Sequence, residues 1–378
     1  MAKSKDTSYN NFVREWKKKD LSYGYQLHKK EYDNVIEDIM TNGHDVYGPY
    51  KKKLEDKMKS LTGRKHAFMV SSGTAAIKAA IFGLDLFDKK VAVSSYNYNA
   101  CVNQYQTFCK PIYVDCDGDG MIDFTKIPKS SDAVMLVNYN GNVVDYDKFK
   151  KLKYPGKVIV DCSQSFGSTY NGKLDGFFGD VAVFSFSGQK PIATRGYLGC
   201  IVTNDDKVAH KIDCAINQGK SGEIRNMATE SIGFRGIKEE LQCGLTYVAM
   251  KHWRQHQAKR TKIAKQLIRE LKDTPIRIVD SGPKCKSSYS KFMICHKNMY
   301  NLAPYLRRHK INVQYTYLDN WNYLWGDGTE RPNTDMLIDT SALVAMSISY
   351  TQEDVDHIVK TIKQYFKKVD RSNLDYIM

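Results

Sequence analysis

The feature that most constrains the fold is a series of short, β-branched apolar runs that lack the alternation of a half-exposed sheet. A strand that is apolar at every position is covered on both faces, as the strands of parallel sheets are. Several runs are separated by stretches long enough for the crossovers that parallel strands need. The runs are 67–70, 91–93, 111–114, 133–137, 157–160, 181–186 and 200–203. The sequence therefore predicts an α/β fold with a largely parallel sheet between helices.

Helical patterns flank this series of strands. Residues 31–40 place their apolar side chains on one helical face, and Gly43 follows as a stop signal. A second, lysine-rich helix is predicted over 49–61, and a buried helix over 75–82. After the strands, 238–272 reads as one long helical stretch that connects to a second domain.

The second domain is predicted to be smaller and also α/β. Strand patterns lie near 291–295 and 311–315, with a helix near 302–309 between them. A terminal helix starts at Thr351, and Asp354 three residues later resembles a capping box. The predicted division is an N-terminal arm and helix over 1–40, a large domain over 41–240, and the long connecting helix with the small C-terminal domain over 241–378.

Composition argues against several protein classes. No run approaches the roughly 18 apolar residues of a membrane helix, and the polar start lacks the apolar core of a signal peptide. The nine cysteines are odd in number and show no C-x-x-C spacing, which argues against a disulfide framework or a zinc module. We therefore expect a reducing cytoplasm, that of a host cell if the chain is viral, and no membrane partner.

The net charge of +15 raises the question of nucleic-acid binding. Lysine far outnumbers arginine, which base and bidentate phosphate recognition favour, and the charge is spread along the chain. Nucleic acid is therefore not the expected partner, and a small substrate that bears phosphate fits better.

Two sequence patterns resemble metal sites, but each lacks a glutamate that the site requires. Residues 115–120 (D-C-D-G-D-G) open like a calcium loop, but its twelfth position is Lys126 instead of a bidentate Glu. His252 and His256 stand four apart, but Trp253 occupies the position where a zinc protease needs Glu. We expect two surface histidines and no metal site.

Three loops at strand ends carry the chemical signal. In 70–76 a strand, a Gly turn and a helix of small residues follow each other, so free N–H groups and the positive helix end face one point. In 158–164, Asp161 directly follows a strand, where α/β folds bind ligands. In 184–190, Lys190 follows a strand, and lysine amines can form Schiff bases. Alone, these loops could be a plain junction, a helix cap and one more surface lysine.

Together and in this order, the three loops resemble the fold-type I enzymes of pyridoxal 5′-phosphate (PLP). More narrowly, the chain is similar to the DegT/DnrJ/EryC1/StrS family of sugar aminotransferases from about residue 31 to 367. The blocks 161–164 and 185–190 are the most specific, and the segments 42–63 and 93–100 also resemble the family's. The implied fold is that of fold-type I PLP transferases.

The resemblance implies a cofactor site. Lys190 would bind PLP as a Schiff base and shuttle a proton, and Asp161 would keep the pyridine nitrogen protonated. Gln164 would hydrogen-bond the ring oxygen, and Tyr98 would cover one ring face. The phosphate would be held by Gly73, Thr74 and Ser185.

The implied reaction is a transamination in two halves. L-glutamate would convert PLP to pyridoxamine phosphate, and the amino group would then pass to the ketone of a nucleotide-linked (6-deoxy) keto sugar, giving a nucleotide amino sugar. A homodimer with its active site at the interface is expected. Weaker substrate contacts are implied for Asn217, Arg235 and Tyr317.

The sequence departs from the family's pattern at several positions, and these departures leave alternative functions open. Gly233 replaces an Asn that in the family reaches the neighbouring subunit's cofactor phosphate, Gln218 replaces a His, and 315–318 lacks the usual His-Tyr-Pro. One alternative is a PLP enzyme for another scaffold, either a sugar dehydratase or an enzyme that modifies a nucleoside or nucleic acid. Lys190 argues against the dehydratases, which carry His there. A non-catalytic sensor on the same fold is the other alternative.

Overall fold

A computed structural model describes residues 7–188, 190–193, 195–221, 228–316 and 328–374. Three helices precede the first strand, namely α1 (Thr7–Leu27), α2 (Lys29–Asn42) and α3 (Pro49–Thr62). The helices predicted over 31–40 and 49–61 are confirmed by α2 and α3. The sequence analysis assigns 1–40 to an arm and one helix, and the structure shows that the segment before α2 is also helical, as α1.

A seven-stranded sheet forms the centre of the molecule. In chain order the first nine strands are β1 (His66–Val70), β2 (Lys90–Ser94), β3 (Lys110–Val114), β4 (Ala133–Val137), β5 (Lys157–Asp161), β6 (Thr169–Tyr170), β7 (Lys173–Leu174), β8 (Val181–Ser185) and β9 (Gly199–Thr203). The central sheet has the order β1-β9-β8-β5-β4-β2-β3. Only β9 runs antiparallel to its neighbours, so the predicted largely parallel sheet is confirmed.

Helices surround this sheet as expected for crossovers. They are α4 (Gly73–Gly83), α5 (Asn99–Phe108), α6 (Tyr146–Lys151), α7 (Asp206–Ile216), α8 (Glu240–Lys251) and α9 (Trp253–Leu271), with a 3₁₀ turn at Phe124–Lys126. The prediction of one continuous helix over 238–272 is wrong. The helix breaks at His252 (φ −102°, ψ 4°), whose imidazole binds Glu31 of α2 at 2.7 Å.

A second sheet follows in the C-terminal part. Its strands are β10 (Arg277–Ile278), β12 (Lys291–Cys295), β13 (Val313–Tyr315) and β14 (Ser341–Ala345), in the antiparallel order β10-β12-β14-β13. The strand β11 (Cys285–Lys286) instead joins β6 and β7. The helices are α10 (Met299–Arg308), α11 (Pro332–Thr340) and α12 (Gln352–Leu374).

Two apolar cores match the two sheets. One surrounds the seven-stranded sheet, and the other lies between the four-stranded sheet and α9, α10 and α12. The predicted capping box is present: the N–H of Thr351 donates to Asp354 at 2.8 Å, and the N–H of Asp354 donates to the Thr351 hydroxyl at 3.2 Å. Among the described residues, we find no helix long and apolar enough to span a bilayer.

Candidate active site

The predicted cofactor residues meet in a pocket of about 650 Å³ at the carboxyl ends of the central strands. The strands β5 and β8 run parallel, so the residues at their ends face the same edge of the sheet. The pocket is lined by all seven of the predicted residues, Gly73, Thr74, Tyr98, Asp161, Gln164, Ser185 and Lys190.

The first turn of α4 forms one end of the pocket. The Ser72 side chain caps the helix by accepting the N–H of Ala75 at 3.0 Å. A Cβ at Gly73 would lie 2.8 Å from the Ser185 Cβ, and a Cβ at Gly199 would lie 2.4 Å from the Ser72 carbonyl carbon. Glycine therefore lets the turn lie close against β8 and β9. The helix N-terminus and the Ser185 hydroxyl form a cradle that fits a phosphate group.

Asp161, the last residue of β5, is a carboxylate almost without solvent contact, with 6% of its surface exposed. The N–H of Ser163 donates to its Oδ1 at 2.8 Å. Burial raises the pKa of Asp161, although the bonds from Ser163 and the charge of Lys190 oppose this shift. The carboxylate is positioned to bind a protonated nitrogen in the pocket.

Lys190 lies just beyond β8, and its N–H donates to the Ser187 carbonyl at 2.9 Å. No hydrogen bond or ion pair within the described part of the chain engages its ammonium group. Burial lowers the pKa of Lys190, while the charge of Asp161 acts in the opposite direction. A lowered pKa increases the fraction of neutral amine, the form that attacks a carbonyl.

Two further side chains can orient a flat ligand. Tyr98 precedes α5 with 54% of its surface exposed, and its N–H donates to the Asn97 side chain at 2.7 Å. The amide oxygen of Gln164 accepts the N–H of Asn140 at 3.2 Å. A ring in the pocket would therefore meet an aromatic face and an oriented amide.

Sequence reasoning missed the residues that the second sheet brings to the pocket. Ser290 and Lys291 come from the start of β12, and Gln314 comes from β13. Nothing local distinguishes Lys291 from the many other lysines, so the only signal is its place in the folded chain.

The predicted substrate residues lie apart from this pocket or outside the described part of the chain. The backbones of Asn217 and Arg235 pair with each other in an isolated bridge, and neither side chain lines the pocket of this chain. Tyr317 lies outside the described residues. A Cβ at Gly233 would lie 2.3 Å from the Gly219 nitrogen and 2.7 Å from the Ala215 oxygen, so the family's Asn does not fit there in this conformation.

The structure also accounts for the patterns that resemble metal sites. The Lys126 ammonium lies 3.0 Å from the Asp115 carboxylate, so a lysine charge meets the acidic loop. The prediction that His252 and His256 are surface residues is wrong, because both are half-buried. The His252 ring stacks on His28 at 3.5 Å, and His256 contacts His28 at 3.3 Å. These histidines join α2 to the α8–α9 junction.

Comparison with known proteins shows which family the chain belongs to. The profile of the DegT/DnrJ/EryC1/StrS aminotransferase family matches residues 26–363. The chain belongs to this family. A dTDP-3-amino-3,6-dideoxy-alpha-D-galactopyranose transaminase of Aneurinibacillus thermoaerophilus is 23% identical over 362 residues, covering 92% of this chain and 98% of that protein. A pleiotropic regulatory protein of Geobacillus stearothermophilus is 26% identical over 272 residues, covering 68% of this chain and 72% of that protein.

A solved structure shows the same fold. NtdA of Bacillus subtilis, crystallised with its cofactor PMP, superposes with a TM-score of 0.81 at 20% identity, covering 89% of this chain and 82% of that chain. Family membership confirms the predicted resemblance, the fold-type I α/β architecture, the aminotransferase reaction and the PLP cofactor. The roles of individual residues stay predictions.

Proposed function

We propose that this aminotransferase moves the amino group of L-glutamate to the keto group of a nucleotide-linked sugar, and that it works as a homodimer. One observation carries the proposal: a single pocket joins the buried Asp161 carboxylate, the Lys190 amine and a phosphate cradle. The sugar transaminase relative supports the substrate class, since its name specifies a dTDP-linked amino sugar.

Each end of the pocket suits one part of the cofactor. The first turn of α4, with Gly73 and Thr74, and the Ser185 hydroxyl would hold the phosphate. Asp161 would bind the ring nitrogen and keep it protonated, Gln164 would bind the ring oxygen, and Tyr98 would cover the ring. When bound, PLP supplies the electron sink that lets the carbon next to the amino group lose a proton.

Lys190 is the group that we assign to proton movement. Its amine has no fixed protein partner among the described residues, so it can turn between ligand atoms without breaking a hydrogen bond. Its lowered pKa makes a bound proton easier to release, which suits an amine that takes up a proton and passes it on. Asp161 limits this lowering, because its negative charge stabilises the ammonium form.

The pocket rim supports the homodimer. Tyr197 lines the rim with 71% of its surface exposed. Ile232, which does not line the pocket, has 83% of its surface exposed. Large apolar side chains that are exposed in this way are typical of surfaces that a partner covers. A second copy of the chain would bury them and close the site.

The experiment is a coupled assay on the purified chain with PLP. L-glutamate and a panel of dTDP-, UDP-, GDP- and CDP-linked keto sugars are supplied, and 2-oxoglutarate and the amino sugar are measured. We expect both products in equal amounts with wild type and neither with Lys190→Ala. Lys207→Ala, on the exposed face of α7, is the matched control and should keep full activity.

The relative named as a regulatory protein favours a second candidate, ligand sensing without turnover. This candidate predicts that keto sugars bind while no 2-oxoglutarate forms with any amino donor. Ligand binding with unchanged biological output of Lys190→Ala would support it over catalysis.

A further inference from the structure

A second, smaller cavity of about 300 Å³ adjoins the active-site pocket. Its walls are α1, α9, the segment after Lys190 and the four-stranded sheet. The two cavities share the residues Gly188, Lys190, Pro191, Ser290, Lys291 and Gln314. A ligand that reaches Lys190 can therefore extend into the smaller cavity.

The wall formed by α1 lies largely outside the family match, which begins at residue 26. It is fixed to the second sheet at several points. The Tyr9 hydroxyl donates to the Val313 carbonyl at 2.7 Å and accepts the Val313 N–H at 2.9 Å. The Trp16 ring meets Tyr350 edge-on at 6.3 Å. The cavity thus has a wall that the family motifs do not specify.

The charges in this cavity are unbalanced. Lys17 from α1, Arg260 from α9 and Lys291 from β12 line it, and among the described lining residues Asp20 is the one carboxylate. Arg195, over the Tyr25 ring, also lines the wall. Burial, with the charges of Lys190 and Lys17, lowers the pKa of Lys291 to about 8. Lys17, Arg260 and Lys291 carry three positive charges, and Asp20 balances one of them. The cavity therefore favours a ligand with two negative charges.

Buried donors in the wall lack partners. Arg260 is 6% exposed; its Nη2 donates to the Pro191 carbonyl at 3.2 Å, but its Nε has no partner within the described ranges. The hydroxyl of Ser290, 8% exposed, also has no partner there. Unpaired buried donors are costly, and an anionic ligand with several acceptor oxygens would satisfy them.

We propose that this cavity binds the carboxylates of a dicarboxylic amino donor, and that Lys17, Arg260 and Lys291 select such donors over monocarboxylic amino acids. The inference rests on the proposed aminotransferase function, because the donor's amino group must lie beside Lys190. An amino acid with one carboxylate would leave much of the positive charge unmatched. The donor preference would then depend on α1, which lies largely before the start of the family match at residue 26.

The test measures binding separately from turnover. Glutarate and butyrate, a dicarboxylate and a monocarboxylate, are titrated calorimetrically into the PLP-loaded protein. Lys17→Met should weaken glutarate binding about tenfold, the loss expected for one charge-assisted hydrogen bond, and Lys291→Met should weaken it by at least as much. Lys19→Met, on the exposed face of the same helix, should bind like wild type. Butyrate binding should change little in all three variants.

Melting curves check that the variants are folded. Lys291→Met should fold well, because it removes a positive charge that its surroundings disfavour. Unchanged glutarate affinity in both cavity variants would overturn the inference, as would binding of pyrophosphate with no binding of glutarate. The half-reaction of L-glutamate against L-alanine separates this failure from that of the proposed function. If neither amino acid reacts in wild type, the proposed function with L-glutamate as donor fails. If both react with no preference that Lys17→Met alters, only the cavity inference fails.

Discussion

Replacing Asp161 by Asn tests the centre of the site. Asn has nearly the same shape and can still accept the N–H of Ser163, now at 2.8 Å from Oδ1. What disappears is one buried negative charge, 6% exposed, that faces Lys190 and the bound ring. Removing one preorganised electrostatic group from a closed site typically costs about 10²–10³-fold in turnover, or roughly 3–4 kcal/mol of barrier. We expect Asp161→Asn to lose aminotransferase activity by this factor.

The same substitution has a defined pH signature. Asp161 raises the pKa of Lys190 by charge attraction, so Asp161→Asn should lower it further. Because folding raises the pKa of Asp161, its ionisation disfavours the folded state once the pH exceeds its unfolded pKa. The variant should therefore be at least as stable as wild type at pH 7, and any advantage should vanish at pH values where Asp161 is protonated in both states.

Two measurements check this reasoning. The rate at which Lys190 reacts with a small aldehyde, followed against pH in the protein without PLP, reports the pKa of the amine. Urea unfolding at pH 7, and at a pH below the ordinary pKa of an Asp, reports stability. Asp147→Asn, which removes a partly exposed carboxylate that pairs with Lys284, is the control for general charge effects. A Lys190 pKa that stays the same or rises in Asp161→Asn would refute the assigned charge coupling.

Three further predictions concern the supports of the site. Gly73→Ala should weaken PLP binding at least tenfold in a spectral titration, because the new Cβ would lie 2.8 Å from the Ser185 Cβ. Gly118→Ala, which adds a Cβ in open space, is the control. Equal PLP affinities of the two variants would contradict the role of Gly73 in binding the phosphate. Glu240→Ala should lower the free energy of unfolding by about 2–4 kcal/mol, since its buried carboxylate accepts two N–H groups at the start of α3 at 2.6 and 3.0 Å. If urea unfolding shows a loss of less than about 1 kcal/mol in the free energy of unfolding, water replaces the Glu240 carboxylate as acceptor. Thr351→Ala should cost about 1 kcal/mol through the cap of α12, with no change in PLP affinity; a changed affinity would mean that the cap affects the site.

The cofactor end of the site was predictable because its signals are local. Each of the loops 70–76, 158–164 and 184–190 follows its own strand, and the parallel arrangement of β5 and β8 brings Asp161 and Lys190 to one edge of the sheet. Parallel topology thus converts positions along the chain into positions in space. The family resemblance then assigned roles that strand patterns alone could not.

The smaller cavity, which we propose binds the amino donor, could not be predicted from local sequence signals. Lys17, Arg260 and Lys291 lie on three elements far apart in the chain, and each is one of many basic residues. What distinguishes them is that they line one cavity together with Asp20, and the packing of α1 against the second sheet produces this arrangement. The interruption between α8 and α9 at His252 was not predictable for the same reason, because the hydrogen bond from His252 to Glu31 is a tertiary contact.

The segment around Gly233 explains how the chain departs from its family without losing the cofactor cradle. The N–H of Phe234 donates to the Ala215 carbonyl at 2.6 Å, and the N–H of Gln218 donates to the Phe234 carbonyl at 3.2 Å. These bonds draw Gly233 onto the α7 C-terminus, where a Cβ would lie 2.3 Å from the Gly219 nitrogen. An Asn there would require this segment to separate from α7. We therefore infer that the phosphate depends more on Gly73, Thr74 and Ser185 of the same chain than on a residue from a partner at this position.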